Sequence, residues 1–79
     1  MIIGVAKEIK NQEYRVAAVP SAVLEMTRRG HQVYVEKDAG AKAGFPDSEY
    51  AAAGAIICDT DTIYEKSEMI YKVKEVLPP

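Results

Sequence analysis

Four short apolar runs divide the chain and predict four β-strands. Each run is rich in Ile, Val or Tyr, residues that are typical of strands. The predicted strands span residues 2–5, 32–36, 55–58 and 69–73. The stretches between them carry helix signals, so the pattern predicts strands that alternate with helices along the chain.

Three short helices are predicted in the connections, at residues 20–29, 48–53 and about 61–67. Pro20 suits the first turn of a helix because its missing N–H would lack a partner there. Gly30 suits the position just after the last turn. Asp47 is the predicted N-cap of the second helix, and Asp59 or Thr60 is that of the third.

This alternation indicates an α/β protein with a parallel sheet and right-handed crossovers. We predict a partial doubly wound, flavodoxin-like sheet of about four strands in the order 2-1-3-4, with three short helices on its two faces. A parallel sheet needs cover on both faces, and three short helices supply only part of it. A chain of 79 residues is at most one small domain, so the incomplete cover suggests an oligomer or a truncated domain.

Composition excludes several classes of partner. The net charge is −2 and no basic block occurs, which disfavours nucleic acid and anionic membranes. No apolar run approaches the about 20 residues of a membrane span, and the apolar start is too short for a signal peptide and lacks its basic residues. The single cysteine, Cys58, forms neither an internal disulfide nor a metal site. We therefore expect a cytoplasmic, metal-free protein.

The connection after the first strand, residues 7–18, is the most unusual segment. In an open α/β sheet, ligands bind beyond the carboxyl ends of the strands, and this connection exceeds the about 2–6 residues usual for such a loop. Within it, Arg15 is the best candidate for binding a ligand, because a guanidinium offers a planar fork that matches a carboxylate. The competing interpretation is a solvated or structurally paired arginine.

Two lysines near the end of the chain form a second candidate feature. Lys72 and Lys74 lie two residues apart at the end of the last predicted strand, and they share one face if the strand is regular as far as Glu75. Lys74 is nearer the carboxyl end, where its ammonium can hold a carboxylate or a carbonyl oxygen. The competing interpretation is a pair of edge-strand lysines that discourage aggregation.

The remaining chemically capable residues are assigned structural roles. His31 starts the second strand, at the sheet end opposite the ligand edge, which disfavours an acid/base role. Gly40 and Gly44 do not form a G-x-G-x-x-G fingerprint and fit a tight loop. Cys58 is interpreted as a small buried strand residue. No acid/base pair and no dinucleotide fingerprint occur, so we predict no catalytic, cofactor-binding or metal-binding residue in this chain.

Several stretches also follow a family pattern. They are residues 1–17 (MIIGVAKEIKNQEYRVA), 29–33 (RGHQV), 39–40 (AG), 44–50 (GFPDSEY), 53–55 (AGA) and 72–75 (KVKE). Together they resemble the N-terminus of L-alanine dehydrogenase. The resemblance covers the whole chain but only the first fifth or so of a family member.

The resemblance implies the reversible conversion of L-alanine, NAD and water to pyruvate, ammonia and NADH. It implies that Arg15 and Lys74 hold the substrate carboxylate and carbonyl. The family's acid/base histidine and aspartate, and its NAD-binding Rossmann domain, would lie beyond this chain. Residues 1–79 would then be the N-terminal part of a substrate-binding domain, inactive alone, with the rest of the enzyme or further copies as partners.

Other hypotheses stay open. The transhydrogenase α subunit shares this domain, but it typically has a neutral residue where Lys74 stands, which favours alanine dehydrogenase. Ala6 and Val76 stand where the family usually has proline, which changes backbone rigidity near the site without removing a chemical group. A free-standing module that binds a small carboxylate or docks to a partner is an alternative, as is a structural remnant at a sheet edge.

Overall fold

The computed structural model describes residues 1–7 and 18–71. Its elements are β1 (Ile2–Val5), α1 (Pro20–Arg28), β2 (Gln32–Glu36), α2 (Asp47–Ala52), β3 (Ile56–Cys58), α3 (Thr60–Lys66) and β4 (Met69–Tyr71), with a 3-10 turn at Ala41–Ala43. The bounds of β1 and β2 are those predicted, and those of the three helices and the start of β3 differ by one residue. The predicted end of the fourth strand, residues 72–73, lies outside the described residues.

The four strands form one sheet in which every pairing is parallel, as predicted. Ile3 is paired with Val33 of β2 on one side and with Met69 of β4 on the other. The order is β3-β2-β1-β4, so the predicted order 2-1-3-4 is wrong. The third strand lies beside the second, and the fourth lies beside the first. This is the order of the first four strands of the dinucleotide-binding fold, 3-2-1-4, rather than the flavodoxin-like order.

Burial and close packing account for the observed order. Val5 of β1 and Val35 of β2 are both 0% exposed, whereas Ile56 of β3 is 43% exposed and Met69 of β4 is 39% exposed. The two central strands are therefore more buried than the two edge strands. Gly4 lets the end of α3 pass close to β1, because a Cβ at Gly4 would meet the Ser67 hydroxyl and lie 2.8 Å from its Cβ. The chain thus returns across β1 and adds β4 to its free edge.

The helices cover both faces of the sheet, as predicted. The helices α1 and α2 pack together on one face, against β2 and β3, and α3 packs on β1 and β2. The main core lies under α1 and α2 and comprises Ile3, Val5, Ala18, Val23, Val33, Val35, Ala39, Tyr50 and Ala53. On the α3 side, the buried Ile63 lies over Gly4, with its Cγ2 3.4 Å from where a Cβ would be. Right-handed crossovers require α3 to lie on the opposite face from α1 and α2. The chain crosses the sheet in one direction from β1 to β3 and in the opposite direction from β3 to β4.

The end of α1 is fixed by local backbone chemistry. Gly30 has a φ of +90°, a conformation that glycine adopts without a steric penalty. Its N–H donates to Thr27 O at 3.1 Å, and His31 N–H donates to Met26 O at 3.1 Å. These two bonds are the Schellman pattern, so Gly30 is the helix stop that the sequence predicted.

The start of α2 differs from its prediction. The N-cap is Pro46, and no side-chain capping bond is made there. Asp47 is the first helical residue, and its Oδ1 accepts a bond from the backbone N–H of Asp38 at 2.9 Å. Asp38 has a φ of +65°, so the Asp47 carboxylate holds a left-handed turn instead of capping the helix. The nearby Gly44, with a φ of +90°, belongs to a tight loop, as predicted.

The start of α3 makes stability depend on pH. Asp59 is the N-cap, one of the two predicted alternatives, and its Oδ1 accepts the Thr62 N–H at 2.9 Å. Hydrogen bonds from Thr62 lower the pKa of Asp59 below its ordinary value of 3.8. A lowered pKa in the folded state means that this stabilisation is complete above about pH 4 and is lost as the pH falls through the folded value.

We therefore expect Asp59→Asn to reduce the acid sensitivity of the chain, because asparagine caps a helix without titrating. The measurement is the thermal midpoint at pH 7 and at pH 3, for wild type and variant. Asp61→Asn, in the first turn of the same helix, is the matched control for the loss of a charge. An equal fall in midpoint between the two pH values for wild type and Asp59→Asn would contradict the assignment.

Candidate functional site

The carboxyl edge of the sheet contains a topological switch point. The chain leaves β1 toward β2 on one side, and β4 lies on the other side of β1. The ladder continues past β1, since Ala6 N–H donates to Tyr71 O at 3.2 Å. Ligands of open α/β sheets bind in the crevice outside the carboxyl ends of the strands at such a point. The ends of β1 and β4 therefore define the candidate site.

The structure does not describe the two residues predicted to bind the substrate. Arg15 and Lys74 both lie outside residues 1–7 and 18–71. Their positions in sequence are nevertheless informative, because Arg15 follows β1 and Lys74 follows β4. The prediction separated these two strands by one neighbour, whereas the structure pairs them directly.

A buried carboxylate fixes the edge beside this crevice. Glu36, the last residue of β2, is only 8% exposed. Its Oε1 accepts the Lys7 backbone N–H at 2.8 Å, and its Oε2 accepts the Thr60 hydroxyl at 2.6 Å. One side chain thus joins the end of β2 to the residues after β1 and to the start of α3. Bonds to a charged acceptor are among the stronger hydrogen bonds in proteins.

A buried tyrosine fixes the other described end of the connection between β1 and α1. Tyr50 of α2 is 0% exposed, and its hydroxyl donates to Ala18 O at 2.8 Å. Burial raises the pKa of the Tyr50 hydroxyl, and the carboxylates of Glu49 and Asp47 add to the effect. The hydroxyl therefore stays protonated at neutral pH and keeps its role as a donor.

Sequence reasoning missed both Glu36 and Tyr50. The available signal for Glu36 was an acidic residue that ends an apolar strand, VYVE, at the edge where ligands bind. The signal for Tyr50 was weaker: it is a single aromatic residue in an alanine-rich helix. Each finds its partner far away in the sequence, at separations of 29 residues for Lys7 and 32 for Ala18, which spacing along the chain does not reveal.

The other candidates occupy structural positions. His31 precedes β2, at the amino edge of the sheet, where its backbone N–H completes the end of α1. Cys58 is half-buried rather than buried. Burial, with the charges of Asp59 and Glu36, raises the pKa of its thiol, which makes it a poor nucleophile at neutral pH.

A second concavity lies along β1 and β4 on the α1 side. It is an open groove of about 450 Å³ with Ile3, Met26 and Met69 among its lining residues. Its rim carries Glu25 and Arg29, whose side chains are 3.0 Å apart and pair with each other. The groove therefore resembles an incompletely covered sheet face more than a polar ligand site.

The described part of the chain contains neither a metal-binding cluster nor a membrane-spanning helix. Within residues 1–7 and 18–71, no group of three His, Cys, Asp or Glu side chains could hold a metal ion. In the same ranges, no helix combines the length and apolar character needed to cross a membrane.

The four-stranded parallel sheet with helices on both faces defines an α/β domain of the doubly wound class. The family model of the alanine dehydrogenase/PNT N-terminal domain matches residues 4–79. The chain therefore belongs to the alanine dehydrogenase/PNT N-terminal domain family.

Curated relatives of this chain include alanine dehydrogenases. The chain is 51% identical to that of Bacillus subtilis over an alignment of 79 positions, which covers 99% of this chain and 21% of the relative. It is 45% identical to that of Mycolicibacterium smegmatis over an alignment of 80 positions, which covers 100% of this chain and 22% of the relative. The chain thus spans about a fifth of the length of these relatives.

Two solved structures share its fold. An L-alanine dehydrogenase matches with a TM-score of 0.87 and 49% identity, over 99% of this chain and 22% of that one. A transhydrogenase from Sinorhizobium meliloti matches with a TM-score of 0.86 and 33% identity, over 91% of this chain and 20% of that one. A solved alanine dehydrogenase and a solved transhydrogenase therefore both contain this architecture.

Proposed function

We propose that this chain is the N-terminal part of the substrate-binding domain of an NAD-dependent L-alanine dehydrogenase. Arg15 and Lys74 would form its substrate half-site, holding the carboxylate and the carbonyl oxygen of pyruvate. The reaction converts L-alanine, NAD and water to pyruvate, ammonia and NADH with release of a proton. The alanine carbon that loses hydride becomes the carbonyl carbon of pyruvate.

The observation that carries this proposal is the direct pairing of β1 with β4. The two strands end at the same edge of the sheet in neighbouring positions. A guanidinium and an ammonium that follow neighbouring strands suit one small anion with an adjacent carbonyl group. The family relationship independently favours a carboxylate substrate.

The transhydrogenase branch is the second candidate, since it shares the fold. Identity is lower to the transhydrogenase structure, at 33%, than to the alanine dehydrogenase structure, at 49%. Lys74, in the stretch KVKE, also favours the alanine dehydrogenase branch by resemblance. We therefore rank alanine dehydrogenase first.

The NAD cofactor does not fit the residues of this chain. In dinucleotide-binding folds, a glycine-rich turn after β1 approaches the pyrophosphate, and an acidic residue after β2 binds the ribose. Here the turn begins Ala6-Lys7, and Glu36 already accepts bonds from Lys7 and Thr60. We place NAD binding in the remaining four-fifths of the family's length.

A chimera tests the proposal. In it, this chain replaces the corresponding residues of Bacillus subtilis alanine dehydrogenase, to which it is 51% identical. We expect the chimera to produce NADH from L-alanine, and the 79-residue chain to produce none, because it would supply only part of the site. The measurement is absorbance at the NADH band, with the parent enzyme as control.

Two results would contradict the proposal. One is NADH formation that scales with the purified 79-residue chain and survives further purification. The other is a chimera that is folded and binds NAD but does not turn over L-alanine.

A further inference from the structure

We infer that Glu36 and Tyr50 are positioning residues for substrate binding, because they fix Lys7 and Ala18, the two described ends of the connection that contains Arg15 in sequence. The inference rests on the proposed function for the role of Arg15. It adds two residues that do not themselves contact substrate and that act through the backbone they hold.

The first step is the entry of the connection. Beyond β1, Ala6 N–H donates to Tyr71 O of β4 at 3.2 Å, and Lys7 N–H donates to Glu36 Oε1 of β2 at 2.8 Å. The chain therefore leaves the sheet bonded to both neighbouring strands. The second bond depends on a side chain, so a single substitution can remove it.

The second step is the exit of the connection. Ala18 is 4% exposed, and its carbonyl accepts the Tyr50 hydroxyl at 2.8 Å. A buried carbonyl that loses its donor carries an unfavourable desolvation free energy. Tyr50 also packs against Gly40, where a Cβ would lie 2.6 Å from the tyrosine hydroxyl. The tyrosine ring is thus tightly enclosed, and its hydroxyl has a fixed direction.

The third step is that Glu36 holds more than one element. Its Oε2 accepts the Thr60 hydroxyl at 2.6 Å, which ties the first residue of α3 to the same carboxylate. Because α3 leads into β4, the Glu36 carboxylate is bonded both to the residues after β1 and to the helix before β4. These are the two strands whose ends define the proposed crevice. An ordinary surface glutamate would have no such connections.

The chain offers a matched control for Glu36. Glu68 Oε1 accepts the Ile2 backbone N–H at 2.7 Å, at the amino end of β1. Both glutamates therefore accept a backbone N–H at an end of the same strand. Of the two, only Glu36 does so at the carboxyl edge. Comparing the two variants therefore distinguishes a general loss of β1 stability from a specific loss of pyruvate binding. Tyr34→Phe is the matched control for Tyr50→Phe, because Tyr34 is a half-buried tyrosine of β2.

The test is an isothermal calorimetric titration of the chimeric enzyme with sodium pyruvate. We expect Glu36→Ala and Tyr50→Phe each to raise the Kd for pyruvate by about three- to tenfold, as loss of one hydrogen bond would. Glu36→Gln keeps an acceptor oxygen and should restore affinity. Glu68→Ala and Tyr34→Phe should leave the Kd unchanged.

A double-mutant comparison with Arg15→Lys distinguishes the positioning of Arg15 from a general loss of structure. In an Arg15→Lys background, Glu36→Ala should weaken pyruvate binding no further, because its effect is exerted through Arg15. A merely structural role would give additive losses, and that result would overturn the inference. Circular dichroism spectra and thermal melts of each variant show whether the fold is retained.

The outcomes distinguish the two proposals. If Arg15→Lys weakens binding but Glu36→Ala and Tyr50→Phe do not, this inference fails and the proposed half-site stands. If pyruvate binding is absent, or is unchanged by Arg15→Lys, the half-site fails and the inference falls with it. Equal effects of Glu68→Ala and Glu36→Ala would also overturn it.

Discussion

Arg15→Lys in the chimeric enzyme should raise the KM for pyruvate by an amount equivalent to about 1–3 kcal/mol, the range for a hydrogen bond to a charged group. Lysine keeps the positive charge but lacks the planar fork that accepts a carboxylate in two parallel bonds. The measurement is steady-state kinetics in the direction of pyruvate reduction. A thermal melt of the same protein shows whether folding has changed.

Lys74→Ala should impair turnover far more than it impairs folding. In the proposed half-site, its ammonium stabilises the carbonyl oxygen of the reacting substrate, whereas isolated surface charges add little to stability. Lys66→Ala is the matched control, because Lys66 is exposed and is the last residue of α3, which leads into the amino end of β4. If Arg15→Lys and Lys74→Ala both melt and turn over as wild type does, the two residues are ordinary surface charges.

Tyr50→Ala should destabilise the isolated chain more than any other single truncation proposed for it. Tyr50 is 0% exposed, and truncating a large buried aromatic residue costs about 3–5 kcal/mol. A domain of this size has only about 4–12 kcal/mol of total stability. We therefore expect the variant to be largely unfolded at 37 °C, as measured by circular dichroism during thermal and urea melts.

The matched control for Tyr50 is Tyr64 of α3, which is 53% exposed. Tyr64→Ala should change the free energy of unfolding by only a few tenths of a kcal/mol, as is usual for surface substitutions. Tyr50→Phe should fall between the two, because it keeps the ring and loses only the bond to Ala18. A Tyr50→Ala protein that melts like Tyr64→Ala would show that the core does not depend on this ring.

Local chemistry made most elements predictable. The runs at residues 2–5 and 32–36 are strands because β-branched and aromatic residues pack well on a sheet. Gly30 ends α1 because it adopts a positive φ without a steric penalty, and Asp59 begins α3 because its carboxylate accepts a nearby N–H. Each of these effects involves residues within a few positions of one another, so the sequence displays both partners together.

The candidate site was predictable only in part. Arg15 and Lys74 were identified by their place after strands and by family resemblance, and they stay predictions. Glu36 and Tyr50 were not identified, because each is defined by a bond to a backbone group about thirty residues away. The same limit explains Asp47, which was predicted as a cap on local grounds and instead bonds Asp38.

The sequence by itself determined the alternation of strands and helices, the parallel direction of the strands and the family. The order β3-β2-β1-β4 was decided by tertiary structure. Right-handed crossovers permit both this order and 2-1-3-4, so handedness did not choose between them. The choice follows from burial of β1 and β2 at the centre and from the space at Gly4 for the end of α3. These packing effects depend on residues that meet only in the folded chain, and they place β4 beside β1.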